Sequence, residues 1–180
     1  MSLPAAATTA AALDGTAGVQ LYTTVGVHPH DAKTLASFRD SESAPTTSED
    51  DEIGHHNPVC VIDEAQLSAL RALAAKPHCV SLGECGLDYD RMFSARTLQL
   101  AAFEAQVALA AELQRPLFVH VRDREASKGP PLGAYADLLA ILGRHHPTLS
   151  PERVCIHCFT GGAAELRVRA DIIGHARINM

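Results

Sequence analysis

Three side chains carry the chemistry that this sequence suggests. Glu84 lies in the run Val-Ser-Leu-Gly-Glu-Cys-Gly-Leu-Asp-Tyr-Asp-Arg, from Val80 to Arg91, where a short apolar stretch gives way to glycines and an acidic, turn-prone segment. His120 takes the corresponding place in Leu117-Phe-Val-His-Val-Arg122, and His157 in Val154-Cys-Ile-His-Cys-Phe159. One carboxylate and two imidazoles, each at the end of an apolar run, are the ligand types of a divalent-metal site that leaves a position open for water. Glu84 could bridge two metals, or polarise a metal-bound water as general base. A single histidine at a strand end is more often an ordinary satisfied polar residue. Three such positions repeated along one chain turn the balance toward a site.

Two further residues belong to the same picture. Arg122 shares the face of His120 by strand alternation and would suit a phosphate, although a rim salt bridge would use it equally well. His28 and His30 end the first β-rich run, Leu21 to Val27, at His28-Pro29-His30, where proline stops a ladder. Either could meet substrate or cap the turn, and His28 is the one expected to meet substrate.

The elements that must position these groups alternate. After the first run, Asp63 with Gln66 three residues on resembles a capping box, and Leu67, Leu70 and Leu73 follow on one helical face until Lys76-Pro77. The strand into Glu84 comes next. Leu98, Ala102, Ala105, Leu109 and Leu113 then mark the strongest helix, begun after Ser94, with Leu100, Phe103 and Val107 widening its stripe, and Pro116 ends it. Strand Leu117 to Val121 is followed by Gly129-Pro130-Pro131. A helix carrying Leu132, Tyr135, Leu138, Leu139 and Leu142 is closed by Gly143 and Pro147. Strand Val154 to Phe159, a helix reaching Gly174 and the start of a strand at 176–180 complete the chain.

Strand alternating with helix argues a parallel α/β sheet or a (β/α)8 barrel. About five strands are counted, where a closed barrel needs eight. Residues 1–20, rich in Ala and Thr, read as a weakly structured tail. Residues 21–180 read as the barrel-type domain, with a polar insertion at about 40–58 that holds the acidic run Glu49 to Glu52 and His55-His56. Both are expected to be solvated loop.

Composition narrows the function classes. The 180 residues are 47% hydrophobic with no tryptophan and a mean hydropathy of +0.02, enough for one globular core built on Ala, Leu, Val and Ile. A net charge of −6 is wrong for a generic electrostatic nucleic-acid binder, so a polyanion must be held by focused local charge. No apolar run is long enough to span a bilayer and no signal peptide is evident. The expected location is intracellular, cytoplasmic or nuclear, with no membrane contact and no protein partner indicated. Five scattered cysteines suit reduced, buried thiols. Cys155 and Cys158 form a C-x-x-C inside a strand-like run, which sends them to opposite faces and argues against a redox pair.

Four segments carry a resemblance. Val25-Gly-Val-His-Pro-His-Asp31, Leu82-Gly-Glu-Cys-Gly-Leu-Asp-Tyr-Asp-Arg91, Pro116-Leu-Phe-Val-His-Val-Arg122 and Ile156-His-Cys-Phe-Thr-Gly161 resemble the signature segments of the TatD-type deoxyribonucleases, in that family's order. The resemblance implies a metal-dependent hydrolase on an amidohydrolase-type barrel, cleaving DNA phosphodiesters with a metal-activated water and Mg²⁺, Mn²⁺ or Zn²⁺. It makes Glu84, His120 and His157 metal ligands and Arg122 a phosphate contact. The family also carries a His-x-His on its first strand and a metal-binding Asp on its last. Neither is found here, so the sequence resembles an internal portion, an incomplete barrel of about five strands. On that reading the chain alone is expected to bind metal weakly, to be marginally stable and to show little activity. Two other readings stay open: a catalytically inactive remnant serving as a binding module, and a related metal-dependent amide or ester hydrolase.

Overall fold

A computed structural model describes residues 20–39, 59–145, 148–149, 153–157, 159 and 177–178. Residues 1–19 of the expected tail, the polar segment at 40–58 with His55-His56, Cys158 and the helix expected to reach Gly174 lie outside the described residues.

Five parallel strands form the main sheet: β1 (Thr23–Val25), β4 (Cys79–Asp88), β5 (Leu117–Arg122), β6 (Val154–His157) and β7 (Arg177–Ile178), in the order β1-β4-β5-β6-β7. Spatial order follows chain order without reversal. Right-handed crossovers repeated in one direction place their helices on one face, which is how a barrel wall grows; a doubly wound sheet reverses instead. The fold is therefore α/β of the barrel type, with the barrel incomplete.

Burial along the strands agrees with this. Leu117, Val119 and Val121 are buried, while Phe118, His120 and Arg122 alternate with them and are half-buried. In β6, Val154 and Ile156 are buried and Cys155 and His157 alternate. One face thus packs on helices and the other carries the chemistry. No helix among the described residues is long and apolar enough to cross a membrane.

Three helices follow from their sequences. Asp63 Oδ1 caps α1 (Glu64–Ala74) by accepting from the Ala65 and Gln66 N–H groups at 3.0 and 3.1 Å. The helix α2 (Arg96–Leu113) buries Leu98, Ala102, Phe103, Val107, Leu109 and Ala110 at three- and four-residue spacing. It stops at Gln114, in the left-handed region at φ 53°, just before Pro116. The third, α3 (Ala134–His145), departs from the sequence reading at both ends: Leu132 precedes it and Gly143 lies within it. Its first turn is set by Asp123, whose carboxylate accepts from the Leu132, Gly133 and Ala134 N–H groups at 2.6–2.9 Å. That side chain satisfies the orphan donors of the helix start, so Leu132 is held as an anchor ahead of the helix. One glycine inside costs only about 1 kcal/mol, less than breaking the helix.

A short antiparallel pair, β2 (Ala36–Phe38) with β3 (Cys60–Ile62), was not expected from the sequence. Three-residue strands are too short to display a period of two.

Two buried glutamines join α2 to the ends of the strands. Gln106 Oε1 accepts from the Val27 N–H at 2.7 Å and its Nε2 donates to the Val27 carbonyl at 3.1 Å. Two turns earlier on the same helical face, Gln99 makes the same two-way pairing with Asp88, at 2.8 and 3.0 Å. Each side-chain amide stands in for a neighbouring strand and satisfies main chain where a ladder has ended. Replacing Gln106 by Leu keeps the volume but leaves a buried N–H and carbonyl of Val27 without partners. Urea unfolding of Q106L is expected to show a loss of about 2–4 kcal/mol; a loss below about 0.5 kcal/mol would mean that the pairing contributes nothing to stability.

Candidate metal centre

Glu84 owes its position to an irregularity in β4. Gly83 pairs with Phe118 of β5 and Cys85 with Val119, so Glu84 is an extra residue without a partner in that ladder. A bulge of this kind re-aims a side chain. The flanking glycines make it possible. At Gly86, φ is +140°, and a Cβ there would fall on the His120 carbonyl oxygen. At Gly83, φ is +138°, and a Cβ would fall on the Phe118 carbonyl oxygen. Both backbones approach β5 more closely than any other residue type allows.

The histidines arrive from three directions. His120 and His157 are opposite one another in the β5–β6 register. His28 follows β1 as the N-cap of a 3-10 segment, Pro29–Thr34. All three rings meet one atom: Glu84 Oε1 lies 3.1 Å from His120 Nδ1, 3.2 Å from His157 Nε2 and 3.7 Å from His28 Nε2. His28, Glu84 and His120 can each offer one ligand atom such that all lie within 4.8 Å of one another. His120 and His157 thus both meet Glu84, while the group of mutually close ligand atoms is His28, Glu84 and His120, with His157 outside it. The His157 ring also packs on Phe118, with centroids 4.9 Å apart.

A second carboxylate stands behind them. Asp88, at the end of β4, is fully buried, with Oδ2 2.8 Å from His30 Nε2 and 3.4 Å from His120 Nε2. Its Oδ1 accepts from the Asp90 and Arg91 N–H groups. Burial pushes this carboxyl up, but the His120 ring, the Arg91 N–H and His30 outweigh it and hold Asp88 well below the usual carboxylate range. The sequence alone puts Asp88 in an acidic turn and allows His30 either to meet substrate or to cap the turn. The signal for the pair was available in the two motifs, but only the fold shows that Pro29 turns His30 toward β4.

Histidine 120 is the test of whether a cation fits. A neutral imidazole has one N–H and one lone pair, yet His120 faces Glu84 through Nδ1 and Asp88 through Nε2. Whichever nitrogen carries the proton, the other presents a lone pair to a carboxylate. Nε2 is buried and has no hydrogen-bond partner. A cation beside the ring resolves this, and carboxylate with imidazole is a donor set that divalent cations accept. The neighbouring His28 adds no charge of its own. Burial first, then the His120 and His30 imidazoles, lower its pKa from 6.5 to about 4, against the pull of Glu84 and Asp88. The residues present fit a divalent metal. Cys85, in contrast, is fully buried, and burial and the neighbouring Glu84 push its thiol up to about 12.

Arg122 sits two residues beyond His120 on the same face, and its guanidinium is engaged. Nε is 3.1 Å from Asp90 Oδ2 and Nη2 is 2.8 Å from Glu125 Oε1. Lys128 Nζ holds the other Asp90 oxygen at 2.7 Å.

Comparison with known proteins places this arrangement. The family described as "TatD related DNase" matches residues 2–175. A protein of Pantoea vagans named "3'-5' ssDNA/RNA exonuclease TatD" is 46% identical over 99 residues, 55% of this chain and 34% of the relative. A protein of the same name from Klebsiella pneumoniae is 37% identical over 153 residues, 84% of this chain and 43% of the relative. The chain therefore spans less than half the length of these curated relatives. Among solved structures, YjjV, a TatD homologue of Escherichia coli, shares the fold with a TM-score of 0.58 at 19% identity, over 93% of this chain and 49% of that one. With a match running through nearly the whole sequence, over the strands that carry Glu84, His120 and His157, the chain belongs to the TatD related DNase family.

Proposed function

We propose that this chain carries the metal-binding core of a hydrolase that cleaves phosphodiester bonds of DNA, and that Glu84, His120 and His157 are its metal ligands. The observation that carries the reading is the convergence of three imidazoles on one oxygen of Glu84. The names of the relatives, single-strand DNA and RNA exonucleases, extend the substrate class to single-stranded nucleic acid.

The residues divide the work. Glu84, His120 and His157 hold the cation, with Asp88 orienting His120 from behind as carboxylates behind metal-bound histidines do. When bound there, the cation supplies Lewis acidity to the scissile phosphate and lowers the pKa of a water molecule. Glu84 is also the acceptor that can take a proton from that water. His28 is assigned to substrate. Its Nδ1 accepts from the His30 N–H at 3.2 Å, so in the neutral ring Nε2 carries the proton and can donate to a phosphate oxygen. Arg122 is assigned to the same phosphate through Nη1, because Asp90 and Glu125 occupy its other nitrogens. An intracellular, cytoplasmic location is consistent with the free thiols of Cys79 and Cys85.

Two measurements test this reading. Glu84→Gln removes the charge with little change of shape. In a full-length context, cleavage of an end-labelled single-stranded oligonucleotide with Mn²⁺ or Mg²⁺ is expected to fall by at least about 100-fold, with an unchanged far-UV CD spectrum. Activity within a few-fold of the unsubstituted chain would sink the assignment. Asp88→Asn leaves the ligands in place but weakens the hold on His120. Calorimetric titration is expected to show Mn²⁺ affinity reduced about 10–100-fold, and equal affinity would remove Asp88 from the metal site.

A further inference from the structure

Phe93 is a large apolar side chain left 62% exposed, beside Met92 at 42%. Single exposed hydrophobes are ordinary, so its exposure alone says little; its location and rigidity say more. The described exposed aromatics are Tyr22, Phe38 and Phe93. Tyr22 precedes β1, at the opposite end of the sheet, and Phe38 lies on the β2–β3 pair. Phe93 alone follows the carboxyl end of a central strand. Its ring centroid is 4.7 Å from that of His30 in a T-shaped contact, and His30 is 4.3 Å from His28. The ring therefore borders the metal cluster.

The segment carrying it is fastened on both sides. Ser94 is buried, its Oγ donates to the His30 carbonyl at 2.8 Å, and its own carbonyl accepts from Gln99 Nε2 at 2.8 Å. Ahead of it, the Asp90 and Arg91 N–H groups are held by Asp88. An exposed aromatic on such a tether loses little conformational entropy when a flat ring settles on it.

We infer that Phe93 is a base-stacking platform, receiving a nucleobase next to the phosphate held at the cluster. This rests on the phosphodiester reading above and deepens it. Two observations make a stacking contact the fitting kind. The chain carries a net charge of −6, so bulk attraction to a polyanion is absent. Arg122, the cation assigned to the phosphate, is shared with Asp90 and Glu125. Stacking on an aromatic face needs no charge and tolerates every base, which suits processing of a strand irrespective of sequence.

The absence of tryptophan makes a direct test available. Phe93→Trp with the metal ligands intact, read with strands whose phosphorothioate linkages resist cleavage, gives a single-tryptophan reporter. Titration with a mixed-sequence single strand of about ten nucleotides is expected to quench its fluorescence. The same phosphodiester chain with abasic residues is expected to leave it unchanged, and Tyr22→Trp is expected to respond to neither. In the otherwise unsubstituted chain, Phe93→Ala should raise KM for the normal strand about 10-fold, with kcat within about 3-fold, and Phe93→Tyr should restore it. Cleavage of the abasic strand should not change. No base-dependent quenching, or equal losses on both strands, overturns the platform. Quenching without any cleavage of either strand in a full-length context keeps the platform and sinks the hydrolase reading instead.

Discussion

Two carboxylates share one imidazole in this structure, and the imidazole has a single N–H to give. Glu84 stands 3.1 Å from one nitrogen of His120 and Asp88 3.4 Å from the other. His120 Nε2 is buried without a hydrogen-bond partner, which is costly, and a further cation would complete the arrangement. The other three histidines follow from the same demand: His30 on Asp88, His157 and His28 on Glu84. Four imidazoles and two carboxylates form one electrostatic unit, and the surrounding fold reads as the means of assembling it.

Assembly depends on small departures from regular structure. A regular β4 would alternate its side chains strictly, and the extra residue at Glu84 alters that count between Gly83 and Cys85. The close approach of β4 to β5 at Gly86 then sets the spacing between Glu84 and His120. On the far side, α2 holds the two segments that carry His28 and Asp88 through the paired amides of Gln106 and Gln99. These amides are buried with their hydrogen bonds made, so they rigidify. One helix thereby fixes the relative position of two strand ends that are far apart in sequence.

Much of the fold was legible because its signals are periodic. The apolar runs before Glu84, His120 and His157 are long enough to read as strands, and the stripe of α2 continues for 18 residues. The Asp63 cap declares itself locally. What escaped reading is non-local. Gln99 and Gln106 look like polar breaks in an apolar stripe until Asp88 and Val27 are seen beside them. The β2–β3 pair is too short to show a period, and Asp123 caps a helix that begins eleven residues later. His30 and Asp88 were visible as residue types, but their partnership depends on the turn after β1 closing over β4. The resemblance to the family supplied what periodicity lacks, because motif order carries spatial information that spacing alone does not.

The rim explains how an acidic chain can present a site for a polyanion. Asp90 is held by Arg122 and Lys128, and Asp137 by Arg96 and the Tyr89 hydroxyl, with the Arg96 guanidinium 4.7 Å over the Tyr89 ring. Asp123 is occupied by the first turn of α3. These three carboxylates are thus matched to cations or hydrogen-bond donors within the fold, so their local field is weaker than the net charge of −6 suggests. At the cluster itself, His28 is held neutral, and the negative charge of Glu84 and Asp88 is what a bound cation would offset. Local neutralisation, rather than a basic surface, sets the electrostatics around this cluster.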